Sequence, residues 1–213
     1  MGFGGSIKRL VGAVFPRLLL YRGRKSTDPV VALTFDDGPH PVHSPRILDI
    51  LAEHEVKASF FVIGQEAEKY PELIRRMKAE GHEVANHTYS HYGAVHNTPK
   101  GYVEDVKHCQ KVLEDICGQR LTKSFRPPYG TVPPAVFVRL VWLRYRLVLW
   151  SVDSNDSRAA DAEELLHSIE RTSVVPGDVI LLHEDYAHTP QVLPEFIRIL
   201  RGRGFGFVPS NRF

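Results

Sequence analysis

The stretch Val30-Val31-Ala32-Leu33-Thr34-Phe35-Asp36-Asp37-Gly38-Pro39 decides how the rest of the chain reads. Its first six residues are all apolar or β-branched, the signature of a strand buried on both faces of a parallel sheet. Two carboxylates end the run, and Gly-Pro then forces a tight turn that can aim them in different directions. Working outward, the same grammar recurs: further strands are expected at 58–63, 82–86, 123–126, 146–152, 178–183 and 205–208. Helical patterns lie between them. Ser44-Pro45 and Thr189-Pro190 pair an N-cap residue with a first-turn proline. Asp161 with Glu164 forms a capping box, and Gly81 and Gly202 fall where helices should stop. In the longest helix Tyr102, Val106, Cys109, Leu113 and Ile116 make an apolar stripe at helical spacing, which assigns Cys109 to packing.

Seven strands alternating with helices imply an α/β fold, either an open doubly wound sheet or a small incomplete barrel. The 213 residues, 43% hydrophobic and 24% charged, suit one catalytic-sized domain, assigned here to 30–213. No uninterrupted apolar run reaches the roughly 18 residues of a membrane span. Cys109 and Cys117 fall on one helix about 12 Å apart, too far for a disulfide. No glycine-rich phosphate loop follows the first strand. Residues 1–29 form a basic, partly apolar lead, with Lys8, Arg9, Arg17, Arg22, Arg24 and Lys25 against Asp28 alone. It reads as a surface helix and linker, or as a basic amphipathic segment making peripheral contact with an anionic membrane. Its apolar run is broken by Arg17, so it makes a poor signal peptide. The expected location is cytoplasmic or at the inner membrane face, with secretion left open. Nucleic acid is not an expected partner, because no aromatic interleaving or binding module accompanies the charge.

Chemistry-bearing side chains gather after successive strand ends. Asp36 and Asp37 follow the first strand, and His87 and His91 the third. Arg126 closes the fourth, Asp153 and Asp156 follow the fifth, and His183 ends the sixth. In a parallel sheet or barrel these ends share one rim, where active sites are built. A His-x-x-x-His pair alone is weak evidence, since 11 histidines in this chain give about 0.6 such pairs by chance. Together with one carboxylate, however, two imidazoles supply a three-ligand divalent metal site with an open position. The other carboxylate of the pair is then free to act as a base, with His183 as the complementary acid.

Thr34-Phe35-Asp36-Asp37-Gly38-Pro39, His87-Thr88-Tyr89-Ser90-His91, Arg126-Pro127-Pro128-Tyr129-Gly130, Asp153-Ser154-Asn155-Asp156 and Leu181-Leu182-His183 resemble, in order, the five motifs of the polysaccharide deacetylase family. This is the NodB-homology group, similar to carbohydrate esterase family 4. The resemblance implies a distorted, incomplete (β/α) barrel and removal of N-acetyl groups from a glycan or sugar precursor. It implies Asp37, His87 and His91 as metal ligands, Asp36 as general base and His183 as general acid. Arg126 would orient and electrostatically hold the base, and the Tyr129 backbone N–H would help stabilise the oxyanion. Asp156, ahead of Asp153, would tune His183. The expected metal is Zn2+, with Co2+, Ni2+ or Mn2+ also suited to such donors, and the expected partner is an N-acetylated carbohydrate.

One position departs from the family pattern, Ser157, where an aromatic residue usually walls the sugar groove. Trp142 and Trp150 are assigned to the core, and His40, His43, His96 and His188 to exposed loops near the rim. Two other outcomes fit the same residues: cleavage of another C–N bond, as in sugar deformylation or cyclic amide opening, and a module that binds glycan without turnover.

Overall fold

The computed structural model describes residues 18–23, 28–93 and 98–213. Residues 1–17, most of the basic lead, and His96 lie outside them. The elements run β1 (Leu19–Leu20), β2 (Val30–Gly38), α1 (His43–Glu53), β3 (Ser59–Val62), α2 (Gly64–Lys69), α3 (Pro71–Ala79), β4 (Glu83–Asn86), α4 (Pro99–Cys117) and β5 (Ser124–Phe125). They continue with α5 (Pro134–Trp142), β6 (Arg146–Val148), β7 (Val152–Asp153), α6 (Ala162–Arg171), β8 (Val179–His183), α7 (Thr189–Gly202) and β9 (Gly206–Phe207). The strands pair in the order β1-β6-β5-β4-β3-β2-β8-β7, with β9 against the start of β2. Every pairing between these strands is parallel.

The strand expected at 146–152 is split, and the split shapes the barrel. Its first part, β6, pairs with β5, whereas its last part, β7, pairs with β8 on the far side of β2. One short stretch of chain therefore reaches both ends of the strand row and curls it into an incomplete barrel. Where the strand breaks, the carbonyls of Val148 and Leu149 accept hydrogen bonds from the Arg126 side chain, at 3.1 and 3.2 Å. Buried carbonyls need a partner, and a guanidinium supplies donors in several directions at once.

The lead also contributes to the sheet. Leu19 and Leu20 pair with Leu147 and Val148 and are buried, so this part of the lead is a strand and not the expected surface helix. Inside the barrel, Leu20, Phe61, Ala85, Val148 and Val179 form a small apolar layer. The larger core lies between sheet and helices, where Phe35 and Phe60 stack at 5.2 Å. Cys109 is buried there, and burial raises its thiol pKa, as expected of packing rather than chemistry.

The helix signals hold in part. Asp161 accepts from the Glu164 N–H at 2.9 Å, while the Glu164 carboxylate accepts from Ala160. The helix assigned to Ser44 as cap starts one residue earlier, at His43, and Val42 provides no side-chain cap. At the end of α7 the left-handed residue is Gly204 (φ 86°), two positions beyond Gly202. Trp142 is 84% exposed, contrary to its core assignment, because it lies on the outer face of α5.

Candidate active site

Asp36 and Asp37 point differently because β2 changes register between them. Asp36 pairs with Phe61 and Gly38 with Val62 of β3, leaving Asp37 as a bulge residue at φ 66°. A bulge lets consecutive side chains escape strict alternation. Thr34 and Asp36 share the inward face, and one Arg126 nitrogen, Nη1, reaches both, Thr34 Oγ1 at 2.8 Å and Asp36 Oδ1 at 2.6 Å. Arg126 is itself fully buried, its guanidinium 4.0 Å above the Phe61 ring. Five hydrogen-bonding and stacking partners leave this cation one orientation, and Asp36 is fixed with it.

His87 continues β4, and its Nδ1 lies 2.8 Å from the Arg126 carbonyl oxygen. A carbonyl only accepts, so Nδ1 carries the proton and Nε2 is left to face Asp37. His91 sits four residues on, in a turn rather than a helix: Thr88 and His91 both have positive φ, 70° and 57°. Asn86 Oδ1 accepts from the Thr88 N–H, and Thr88 Oγ1 from the His91 N–H. Asp37 Oδ1 lies 3.0 Å from His91 Nε2 and 3.3 Å from His87 Nε2. Burial acts to raise the Asp37 pKa, but the two imidazoles overcome it and hold the carboxyl well below the usual range.

His183 pairs with Asp36 in the β2–β8 register, so the two stand on neighbouring strands at one level. Asp156 grips His183 twice, with one oxygen 2.7 Å from Nδ1 and the other accepting the His183 backbone N–H at 2.6 Å. Thr189 Oγ1 donates to the same carboxylate, and the His188 ring donates to the Asp156 carbonyl. Burial pulls the His183 pKa down, yet the Asp156 bond and charge, with Asp36 and Asp37 behind them, carry it up to about 9. Asp153 is not at this bond; its Oδ1 accepts from the Asn155 N–H. Tyr129, 74% exposed at φ 58°, places its ring 5.6 Å from that of His91.

Several supporting residues gave no signal in the sequence. Asp105, on α4, accepts the N–H groups of Tyr89 and Ser90 and so braces the turn between the two histidines. Glu184 is fully buried beside β2, where its carboxylate accepts from the Ser44 hydroxyl, which in turn accepts the His40 N–H. Burial, before the nearby Asp36 and Asp37 charges, pushes its pKa up to about 8. Its Oε1 fills the space where a Cβ on Gly38 would stand, 1.8 Å away, so a larger residue at 38 would displace the Glu184 carboxylate. His40 and His43 stack at 4.0 Å and are half-buried rather than exposed. His188 is half-buried too. Trp150 is half-buried against Gly130, and Ser157 is exposed.

Asp37, His87 and His91 are the group among the described residues able to hold a metal, their donor atoms all lying within 4.8 Å of one another. The donor set fits a divalent ion. Asp37 Oδ1 is buried with no hydrogen-bond partner, and two imidazole nitrogens converge on it. One hard oxygen and two borderline nitrogens are ordinary ligands for such ions.

A parallel barrel whose C-terminal rim sets Asp36 and His183 beside a cluster able to hold a divalent metal is suited to hydrolysis. The comparisons specify the family. Residues 23–148, more than half of the chain, match the polysaccharide deacetylase family. The chain is 36% identical over 193 residues to a chitooligosaccharide deacetylase of Bradyrhizobium sp. (strain ANU 289), covering 84% of this chain and 88% of that one. It is 32% identical over 188 residues to a peptidoglycan-N-acetylglucosamine deacetylase of Bacillus cereus, covering 86% and 87%. A crystal structure of a peptidoglycan N-acetylglucosamine deacetylase superposes with a TM-score of 0.86 at 32% identity, over 94% of each chain. The chain belongs to the polysaccharide deacetylase family and is an enzyme of its carbohydrate esterase family 4 type. Deacetylases of this family generally depend on a divalent metal.

Proposed function

We propose that this protein removes acetyl groups from N-acetylated amino sugars of a chitooligosaccharide or peptidoglycan strand, releasing acetate and a free amine. The observation that carries the reading is the β2–β8 register, which sets Asp36 and His183 side by side next to the Asp37–His87–His91 cluster. A divalent ion held by those three side chains, zinc above all, would supply a Lewis acid for the acetamide carbonyl and a more acidic water.

The protein's own groups then divide the proton work. Asp36 accepts a proton from the attacking water while Arg126 keeps its carboxylate aimed inward. The Tyr129 backbone N–H is assigned to the developing oxyanion. His183 donates its Nδ1–H to Asp156, so the proton at Nε2 is the one delivered to the departing nitrogen. That delivery matters because an amide anion is too basic to leave unprotonated. Acetate release from N-acetylglucosamine oligomers and from peptidoglycan, measured before chelation, after it and on return of zinc, tests the reading. Release that stops on chelation and resumes with zinc is expected. Release indifferent to chelation, or none from either glycan, would contradict it.

A further inference from the structure

The opposite end of the barrel carries a second concave site. A cleft of about 490 Å³ opens where β3 and β4 begin, far along the strands from the catalytic rim. Four cations line it, each from a different segment: Lys57 ahead of β3, Lys78 on α3, Arg120 after α4 and Arg212 near the C-terminus. Among the described residues none of the four has a carboxylate partner. Elsewhere on this surface cations do pair, as Arg76 does with Asp49 and Glu80 and Lys111 with Asp115.

The carboxylate in the lining, Glu83, offsets one of these four charges and pairs directly with none of them. It is buried and already accepts five hydrogen bonds, from Ser59, Thr122, Ser124 and Ser210 hydroxyls and the Asn211 N–H, at 2.6 to 3.3 Å. Four cations against one carboxylate leave the lining with an excess of positive charge. His82, also in the lining, has its pKa pulled down to about 4, by burial first and then by the charge of Lys57, against the opposing pull of Glu80. Like charges gathered in a concavity repel one another and concentrate counter-ions there. Arginine forks and lysine ammonium groups together match phosphate oxygens.

We propose that this cleft is an anion site that takes a ligand bearing at least two phosphate charges, as a phosphoanhydride or a phosphodiester chain. The site stands apart from the deacetylase reading, since it shares none of its residues with the catalytic rim. A flat contact with many weak charges would not need four segments to converge on one hollow.

Titration calorimetry of the full-length protein with inorganic pyrophosphate at fixed ionic strength tests the proposal. Parallel arms with a nucleoside diphosphate and with a glycerol-phosphate oligomer distinguish a free small ligand from a polymer. One-to-one binding below about 1 mM is expected, weakened at least tenfold in the Lys57→Gln/Arg120→Gln double variant. That variant is expected to keep deacetylase kcat/KM within twofold and to melt with the parent. Pyrophosphate is also a metal chelator, so Asp37→Ala is titrated alongside. Binding retained in Asp37→Ala and lost in the double variant supports the cleft. Binding lost in Asp37→Ala and kept in the double variant places the anion at the catalytic rim and overturns the proposal, as does an absence of saturable binding.

Discussion

Two acids on the same sheet, one buried and one half-buried, are treated in opposite ways. Glu83, at the start of β4, is saturated by five donors and contacts nothing it could transform. At the other end of the strands, among the described residues, Asp37 Oδ1 is buried with no hydrogen-bond donor and His183 uses only Nδ1 of its ring for a protein hydrogen bond. The backbone shows the same contrast. Asp37, Thr88, His91, Tyr129 and Asn155, all on rim segments, hold positive φ without being glycine, against Glu55 and Arg144 ahead of β3 and β6, a conformation that costs about 1–3 kcal/mol each when sterically disfavoured. An unpartnered carboxylate oxygen and most of the left-handed residues collect at the end that reacts, whereas at the other end Glu83 is saturated and the orphaned buried atoms among the described residues are His82 Nε2 and Glu80 Oε2.

Substitutions can break or sharpen this contrast, and the largest effect is expected at Asp36. Asp36→Asn keeps the Arg126 contact in shape but removes the proton acceptor, so kcat should fall about 10³-fold with zinc content unchanged; steady-state rates and metal analysis check both halves. Gly38→Ala comes next. Its Cβ displaces the buried Glu184 carboxylate packed beside the turn that bears Asp37, and zinc affinity should drop about tenfold to a hundredfold in a competitive chelator titration.

Asp156→Asn probes the acid. His183 must keep its proton to act, and its pKa is raised to about 9, so wild-type kcat should hold through neutrality and fall above roughly pH 9. Without the Asp156 charge that alkaline limb should move down toward the ordinary histidine range, read from pH–rate profiles. The same shift gives a sign for stability: the pair's contribution is complete below about pH 6.5 and is lost as pH rises through about 9. Smallest for activity is Glu83→Ala. It strands several donors and should cost about 2–4 kcal/mol in denaturant unfolding, while kcat/KM at a permissive temperature stays within twofold. A large activity loss with unchanged stability would erase the distinction between the two ends.

Much of this was legible in the sequence because the rim residues are local to strand ends. A strand can be read from six consecutive residues, and its next two then fall on the rim without any knowledge of tertiary contacts. Asp36, Asp37 and His87 come from that rule, Arg126 and His183 close their own strands, and Asp156 and His91 lie four and five residues past theirs; the structure brings them together. What escaped depends on long-range partners. Leu19-Leu20 is too short and too near basic residues to read as a strand, and only β6 makes it one. The break between β6 and β7 shows only in their partners, β5 for one and β8 for the other, which residues 149–151 do not announce. Glu184 and Asp105 look like ordinary surface acids until β2 and the His87–His91 turn are set against them. Trp142 shows the reverse error, since a large apolar side chain does not by itself demand burial.

The central claim is that three side chains from two strand ends converge on a single ion with Asp36 left free beside it. Anomalous diffraction from crystals of the zinc-loaded enzyme tests this most directly. One peak is expected within about 2.0–2.2 Å of an Asp37 oxygen and the Nε2 atoms of His87 and His91, with Asp36 still bonded to Arg126. A peak ligated by Asp36, or bound away from either histidine, would contradict the account.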